Sequence, residues 1–432
     1  MGVLNYFYFL IFLFLCLNGI RKPYTKLTYR DKGEKKEFEV ARGGYLIYFL
    51  IITSLFAFYA AGAIDLAAIR LMLTMGIFVL MLTFFGRGVR FTFPIFIYIL
   101  FLLWVALGSA FSEFSSGYAL RAILKYAYPL LLFFVCSTFV TDERLVLKIS
   151  QDLRKVALFS LCVYFIPYVI YLFDGVFYYS TALSLHYMSI SAISLAAFML
   201  FGRKKKDVLF AILFVLPCII WVYRTSLLAN VAMFSMFAIF RYKIRAVIPL
   251  AIIVMLGVVS VFYVPAVRNK MFGSGSNVTI QDLQNGDVTM DQVNSNGRFA
   301  MWEDLTDRFY VDNEIMGSGT GTIQGYMYTN HVFGGLKAAH NDYVVICCDN
   351  GIVGVVLYLL AFVSIIISCF VEFNKRQNSD AVKYCAVISA SSLAAIMVSM
   401  YTENTVNYSV AALTCPIAFY GMMIGLKNSK NT

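Results

Sequence analysis

Runs of about 20 apolar residues recur along almost the whole chain, each bounded by a short polar stretch. A helix needs about that length to cross the hydrocarbon of a bilayer. In lipid every backbone N–H and C=O must be satisfied within its own segment, so such runs fold as helices. Thirteen runs qualify: 3–20, 44–62, 67–86, 91–110, 119–140, 155–173, 182–202, 207–223, 225–240, 244–265, 350–371, 383–401 and 405–426. The expected fold class is therefore all-α, a polytopic transmembrane helical bundle of about 12–13 spans. Composition agrees: 60% of residues are hydrophobic and 14% charged, where a soluble domain carries about 25% charge. The first run does not read as a cleaved signal, because its basic residues follow the apolar stretch.

Lys and Arg in short loops mark the cytoplasmic side. Placing 21–42, Arg87 with Arg90, 143–155, Arg203 to Lys206, Arg241 to Arg245, Lys375 with Arg376, and Lys427 inside leaves cation-poor loops outside. The N-terminus then lies outside and the C-terminus in the cytoplasm. The net charge of +11 belongs to these loops, so it does not point to nucleic acid. Three units follow: 1–266, an N-terminal transmembrane bundle; 267–341, an extracytoplasmic loop; and 342–432, C-terminal transmembrane helices. The loop is acidic and rich in turn residues. Within it Phe299, Trp302, Leu305 and Phe309 recur at helical spacing, which predicts an amphipathic helix of about three turns starting near Asn296. Such a helix lies on the outer face or caps the bundle.

Cations on the outer side are the informative residues. Arg121 and Lys125 share one helix face, Arg224 stands in the short turn Tyr223-Arg224-Thr225-Ser226, and Arg298, Arg308 and Lys337 lie in the loop. A cation near lipid is costly and persists where it is paired. Two readings fit: pairing with Glu113, Asp65 or loop acids, or a shared anionic ligand such as a lipid-linked diphosphate. His340-Asn341 opens a helix that either residue could cap; an imidazole there could also orient a hydroxyl or take its proton. Gly317-Ser318-Gly319-Thr320-Gly321 has the look of a phosphate cradle but lacks the Lys-Ser/Thr ending of a P-loop, so turn geometry is the better reading. Prolines 129, 167, 217, 249 and 416 within spans are expected to kink helices around a cavity. The nine cysteines form no CxxC pair and have no histidine partners at metal spacing, so no metal or cofactor is expected.

The run from Gly297-Arg298 through Trp302, Gly317-Ser318-Gly319 and His340-Asn341 to Gly351-Ile352-Val353-Gly354 resembles the signature of the O-antigen polymerase and O-antigen ligase superfamily. Arg224-Thr225-Ser226 matches the second arginine of that family, which follows an earlier span. Where the family often has a glutamate before Gly-x-x-Gly, this chain reads Asp349-Asn350, leaving the role of Asp349 open.

The resemblance implies an enzyme that transfers a glycan from an undecaprenyl-diphosphate carrier on the outer face of a bacterial cytoplasmic membrane, using neither metal nor nucleotide. It implies catalytic roles for His340, Arg298 and Arg224, with Arg121, Lys125, Trp302 and Asn341 binding substrate. The implied partners are the lipid-linked oligosaccharide, membrane lipid, a chain-length regulator and a flippase. Polymerase is the leading reading, with ligase and a lipid-linked glycan transporter as alternatives. A transporter would show two related halves, which the sequence lacks.

Overall fold

The computed structural model describes the chain outside residues 1–9, 56–59, 85–89, 163–180, 270–296, 331–335 and 430–432, positions 32, 62–63, 115, 203 and 221–222, and scattered positions within 11–19 and 247–268. The expected spans 3–20 and 244–265, much of 155–173, the centre of the acidic loop, Pro167 and Pro249 thus lie largely outside the described residues.

The architecture is helical, and the chain is a multi-pass membrane protein. Among the described residues six helices are long and apolar enough to span: Phe93–Phe111, Ser116–Phe139, Leu183–Leu200, Arg224–Tyr242, Asp342–Asn374 and Asp380–Ser399. A bent pair, Val406–Ala412 with Thr414–Ser429, makes a seventh. Pro416 sits in the first turn after that 54° bend. It has no N–H to give the carbonyl of Ala412, four residues back, so the helix cannot run straight through. Pro129 and Pro217 lie inside helices.

In chain order the elements are strands β1 (Tyr24–Asp31) and β2 (Glu34–Ala41), then helices α1 (Arg42–Ile52), α2 (Leu66–Phe84), α3 (Phe93–Gly108), α4 (Ser116–Phe139), α5 (Glu143–Ser160), α6 (Thr181–Leu200), α7 (Lys205–Ile220) and α8 (Arg224–Tyr242). After them come α9 (Arg298–Phe309), α10 (Thr322–Asn330), α11 (Asp342–Asn374), α12 (Asp380–Ser399), α13 (Ser409–Ala412) and α14 (Thr414–Ser429). Helix α12 is the hub and packs against α6, α8, α11 and α14. Within its spanning window 78% of residues are buried, against 33% for α3 and α11. The outward stripe of α11, Ile352, Val356, Leu360, Val363, Ile367 and Val371, repeats every three or four residues and remains exposed. In a bilayer that stripe is the lipid-facing side.

The basic segment 21–42, read as a loop, contains an antiparallel hairpin. Leu27 pairs with Phe38, and Leu27, Tyr29, Phe38 and Val40 are buried. Period-two burial of this kind is a strand signature. Gly33 takes φ +102° in the turn. The hairpin docks on α5: the Gln151 amide donates to Arg30 O (2.7 Å) and its oxygen accepts from Arg30 N (3.0 Å). Helix α5 is amphipathic, with Asp142 capping its start by accepting from Arg144 N. Asp152 on α5 accepts from Tyr48 on α1 and from Lys155, and pairs with Lys148 at 2.6 Å. Burial would raise the Asp152 carboxyl, but these hydrogen bonds win and hold it below the usual carboxylate value.

Candidate active site at one end of the bundle

Four segments distant in sequence meet at residues 400–407, which connect α12 to α13. Helix α9 begins at Arg298, after Gly297 at φ +75°. Its buried face, Met301, Trp302 and Leu305, packs on Ile323, Met327, Ala339 and Cys348. The expected three-turn helix is therefore present and caps the bundle. Trp302 donates through Nε1 to Ala339 O at 2.7 Å, and its ring meets Tyr401 edge-on at 5.7 Å. Arg298 Nη1 donates to Thr402 O at 2.7 Å. The hydroxyls of Thr402 and Thr225 are hydrogen-bonded, which ties the start of α8 to the same loop. Arg224, the first residue of α8, lies within electrostatic reach of Arg298. Two guanidinium groups from opposite ends of residues 224–298 are thus gathered at one place.

His340 joins them. Its backbone sits at φ +54°, and its N–H donates to Asn404 Oδ1 at 2.8 Å. Its Nδ1 faces Glu403 Oε2 at 3.7 Å, beyond hydrogen-bond length. Asn341 is buried and caps α11: its oxygen accepts from Tyr343 N and Val344 N. Asp342 N donates to Met400 O, and Asp342 Oδ2 accepts from Val406 N. Lys125 reaches the far end of the same loop, donating to Asn407 Oδ1 at 2.6 Å. It lines a cavity of about 50 Å³ with Lys337, Asp342, Asp349, Asn404 and Asn407. Arg121, one turn earlier on α4, is exposed and joins no hydrogen bond or ion pair among the described residues. Arg308 turns away to Asp304 at 2.9 Å.

The glycine-rich loop is spoken for. Gly317, Gly319 and Gly321 all have positive φ, and a Cβ on Gly317 or Gly319 would lie 2.5 Å from backbone atoms of Asn350 or Ser112. Asp349 answers the question its position raised: its carboxylate accepts from Gly321 N (2.8 Å) and Ile323 N (2.9 Å) at the start of α10. A protein carboxylate therefore occupies the place a bound anion would take. Ser318 N and Gly319 N bond the carbonyls of Cys348 and Asp349. Those carbonyls are available because α11 breaks at Gly351 (φ 65°, ψ −173°).

Sequence reasoning missed two groups. Glu403 carried no motif, because its partner is 63 positions away in the chain. Arg70 on α2 is fully buried and donates to Thr53 Oγ1 (2.6 Å) and Leu50 O. No carboxylate pairs with it among the described residues. His186 on α6 is buried within its electrostatic reach, with both ring nitrogens lacking hydrogen-bond partners among the described residues. No group of three or more His, Cys, Asp or Glu placed to hold a metal occurs among the described residues.

Residues 209–359 match the family model described as O-antigen ligase. The match covers about a third of the chain, so that stretch is similar to the O-antigen ligase family. That supports the superfamily read from Arg298 to Gly354. The likeness is to a family whose members are glycosyltransferase-like enzymes of lipid-linked glycan processing. The matched stretch contains Arg224, Arg298, Trp302, His340 and Asn341, whereas the loop that joins them, 400–407, lies beyond its end. No curated protein matches the chain.

Proposed function

We propose that the chain polymerises a glycan, moving an oligosaccharide from its undecaprenyl-diphosphate carrier to the next lipid-linked repeat unit on the outer face of a bacterial cytoplasmic membrane. The observation that carries this reading is the meeting of Arg298, the Arg224 helix start and His340 on the Thr402 loop. Transfer from a diphosphate needs positive charge where the leaving group gains negative charge. Arginine forks suit a diphosphate, and Arg70 with Lys125 would add charge deeper in the bundle. Transfer also needs a group that takes the proton of the attacking hydroxyl, and His340 fills that role. The lipid-linked donor is already activated, so neither nucleotide nor metal enters the scheme. Capsule, O-antigen and exopolysaccharide assembly are the fitting settings, alongside a flippase and a chain-length regulator.

The description of the matched family favours one other reading, a ligase that hands the finished chain to a different acceptor. The two differ only in acceptor, and a deletion strain separates them. Single lipid-linked repeat units should accumulate if the chain is a polymerase. Long carrier-linked chains that reach no final acceptor would mean a ligase, and an unaltered glycan profile would reject both. Orientation has its own test: Ser276→Cys should react with an impermeant thiol reagent in intact cells, and labelling only after lysis would overturn the outer-face assignment.

A further inference from the structure

We infer that Glu403 is a positioning residue for His340, its carboxylate holding Nδ1 so that Nε2 is presented to the acceptor hydroxyl. This rests on the reading of His340 as the base.

The backbone on both sides of the ring is pinned. Ala339 O accepts from Trp302, His340 N donates to Asn404, the Asn341 side chain caps α11, and Asp342 N donates to Met400. A non-glycine residue at positive φ is costly and persists where its surroundings over-determine it. Here they do, so the ring's direction is set by the fold. Its Nδ1 is buried and has no hydrogen-bond partner among the described residues, and Glu403 faces it. Glu403 is itself held between Thr402, whose carbonyl takes Arg298, and Asn404, which takes His340 N–H. Its side chain is 15% exposed. A loop carboxylate with no task would be free to point into solvent; this one is turned inward toward the imidazole.

A gap of 3.7 Å closes with a small ring rotation, and catalytic hydrogen bonds tighten when substrate arrives. With Nδ1–H directed at the carboxylate, neutral His340 keeps its lone pair on Nε2. In the transfer step the acceptor oxygen bonds to the sugar C1 and its proton passes to Nε2. The C1–O bond to the carrier breaks, and its electron pair leaves on the diphosphate facing the arginines. Glu403 then stabilises the imidazolium and remains ionised, the part an orienting carboxylate plays in a hydrolase triad.

The test is a double-mutant cycle on the purified full chain in lipid nanodiscs, fed lipid-linked repeat units extracted from the deletion strain. Glu403→Gln should lower kcat on the order of 10–100-fold with KM within about twofold. It should change nothing further in the residual turnover of His340→Ala, and Glu403→Asp should recover part of the loss. If Glu403→Gln does not purify as a single species, Glu403→Asp carries the same cycle with a smaller loss. Parental kcat in Glu403→Gln, or an equal loss with and without His340, would reject the proposal while an inactive His340→Ala leaves the base reading standing. A fully active His340→Ala removes the base reading and this proposal together.

Discussion

Two places at the same end of the bundle present groups that can meet negative charge, and they differ in what those groups are. At the glycine-rich loop the donors are backbone amides, and Asp349 of the same chain fills them. At the Thr402 loop the donors are arginine side chains, and the acceptor recorded for Arg298 is a neutral carbonyl. One arrangement is complete within the fold and serves stability. The other gathers two guanidinium groups, which on the proposed function would face the carrier diphosphate. A glycine-rich sequence beside a helix start therefore says little until the fate of its amides is known.

The largest effect expected from breaking this contrast is at Asp349. Asp349→Ala strands two buried N–H groups at about 1–3 kcal/mol each, so the melting temperature and the folded yield should fall sharply. A variant as stable as the parent would mean the loop does not depend on its internal anion.

Next come Arg224→Lys and Arg298→Lys. Lysine keeps the charge and loses the fork; turnover of lipid-linked repeat units should drop on the order of 10²-fold while melting stays near the parent. Full activity in both would remove the arginines from the site.

Gly351→Ala tests the helix break that feeds the glycine loop. Its backbone is at φ 65° and a Cβ would strike the Ile315 carbonyl. Strain of about 1–3 kcal/mol should appear as lost thermal stability, and an unchanged melting curve would contradict it.

Asp152 sharpens the comparison from a third direction, because lysines and a tyrosine satisfy its carboxylate instead of amides. Its carboxyl is held below the ordinary value. The stabilisation is thus complete above about pH 4 and lost as pH falls through the lowered folded value. Asp152→Asn should melt earlier than the parent at neutral pH, and the gap should close in acid. A gap constant with pH would show that charge is not the cause.

Much of the membrane architecture was legible because apolar length is a local signal: 91–110, 119–140, 182–202, 225–240 and 383–401 correspond to described spans. The hairpin was not, because exposed Lys, Arg and Glu alternate with only four buried residues and read as a charged loop. Helix α11 starts at Asp342, well before the expected 350, because Asn341 caps it and the break at Gly351 falls inside it. At the site, the residue types of Arg224, Arg298, Trp302 and His340 stood out in sequence. Thr402, Glu403 and Asn404 did not, since their partners lie 63 to 177 positions away. Lys125 reached the loop as a neighbour of Asn407, while Arg121 of the same helix face did not.

The lateness of the Thr402 loop has a consequence for how the protein is made. Arg298 waits for a carbonyl encoded 104 residues later, beyond the last residue of the matched domain. A nascent chain that has threaded only as far as residue 359 holds both arginines and the histidine, yet has no loop to gather them. The two arginines and the histidine can be gathered only after the chain's final helices have been made and packed.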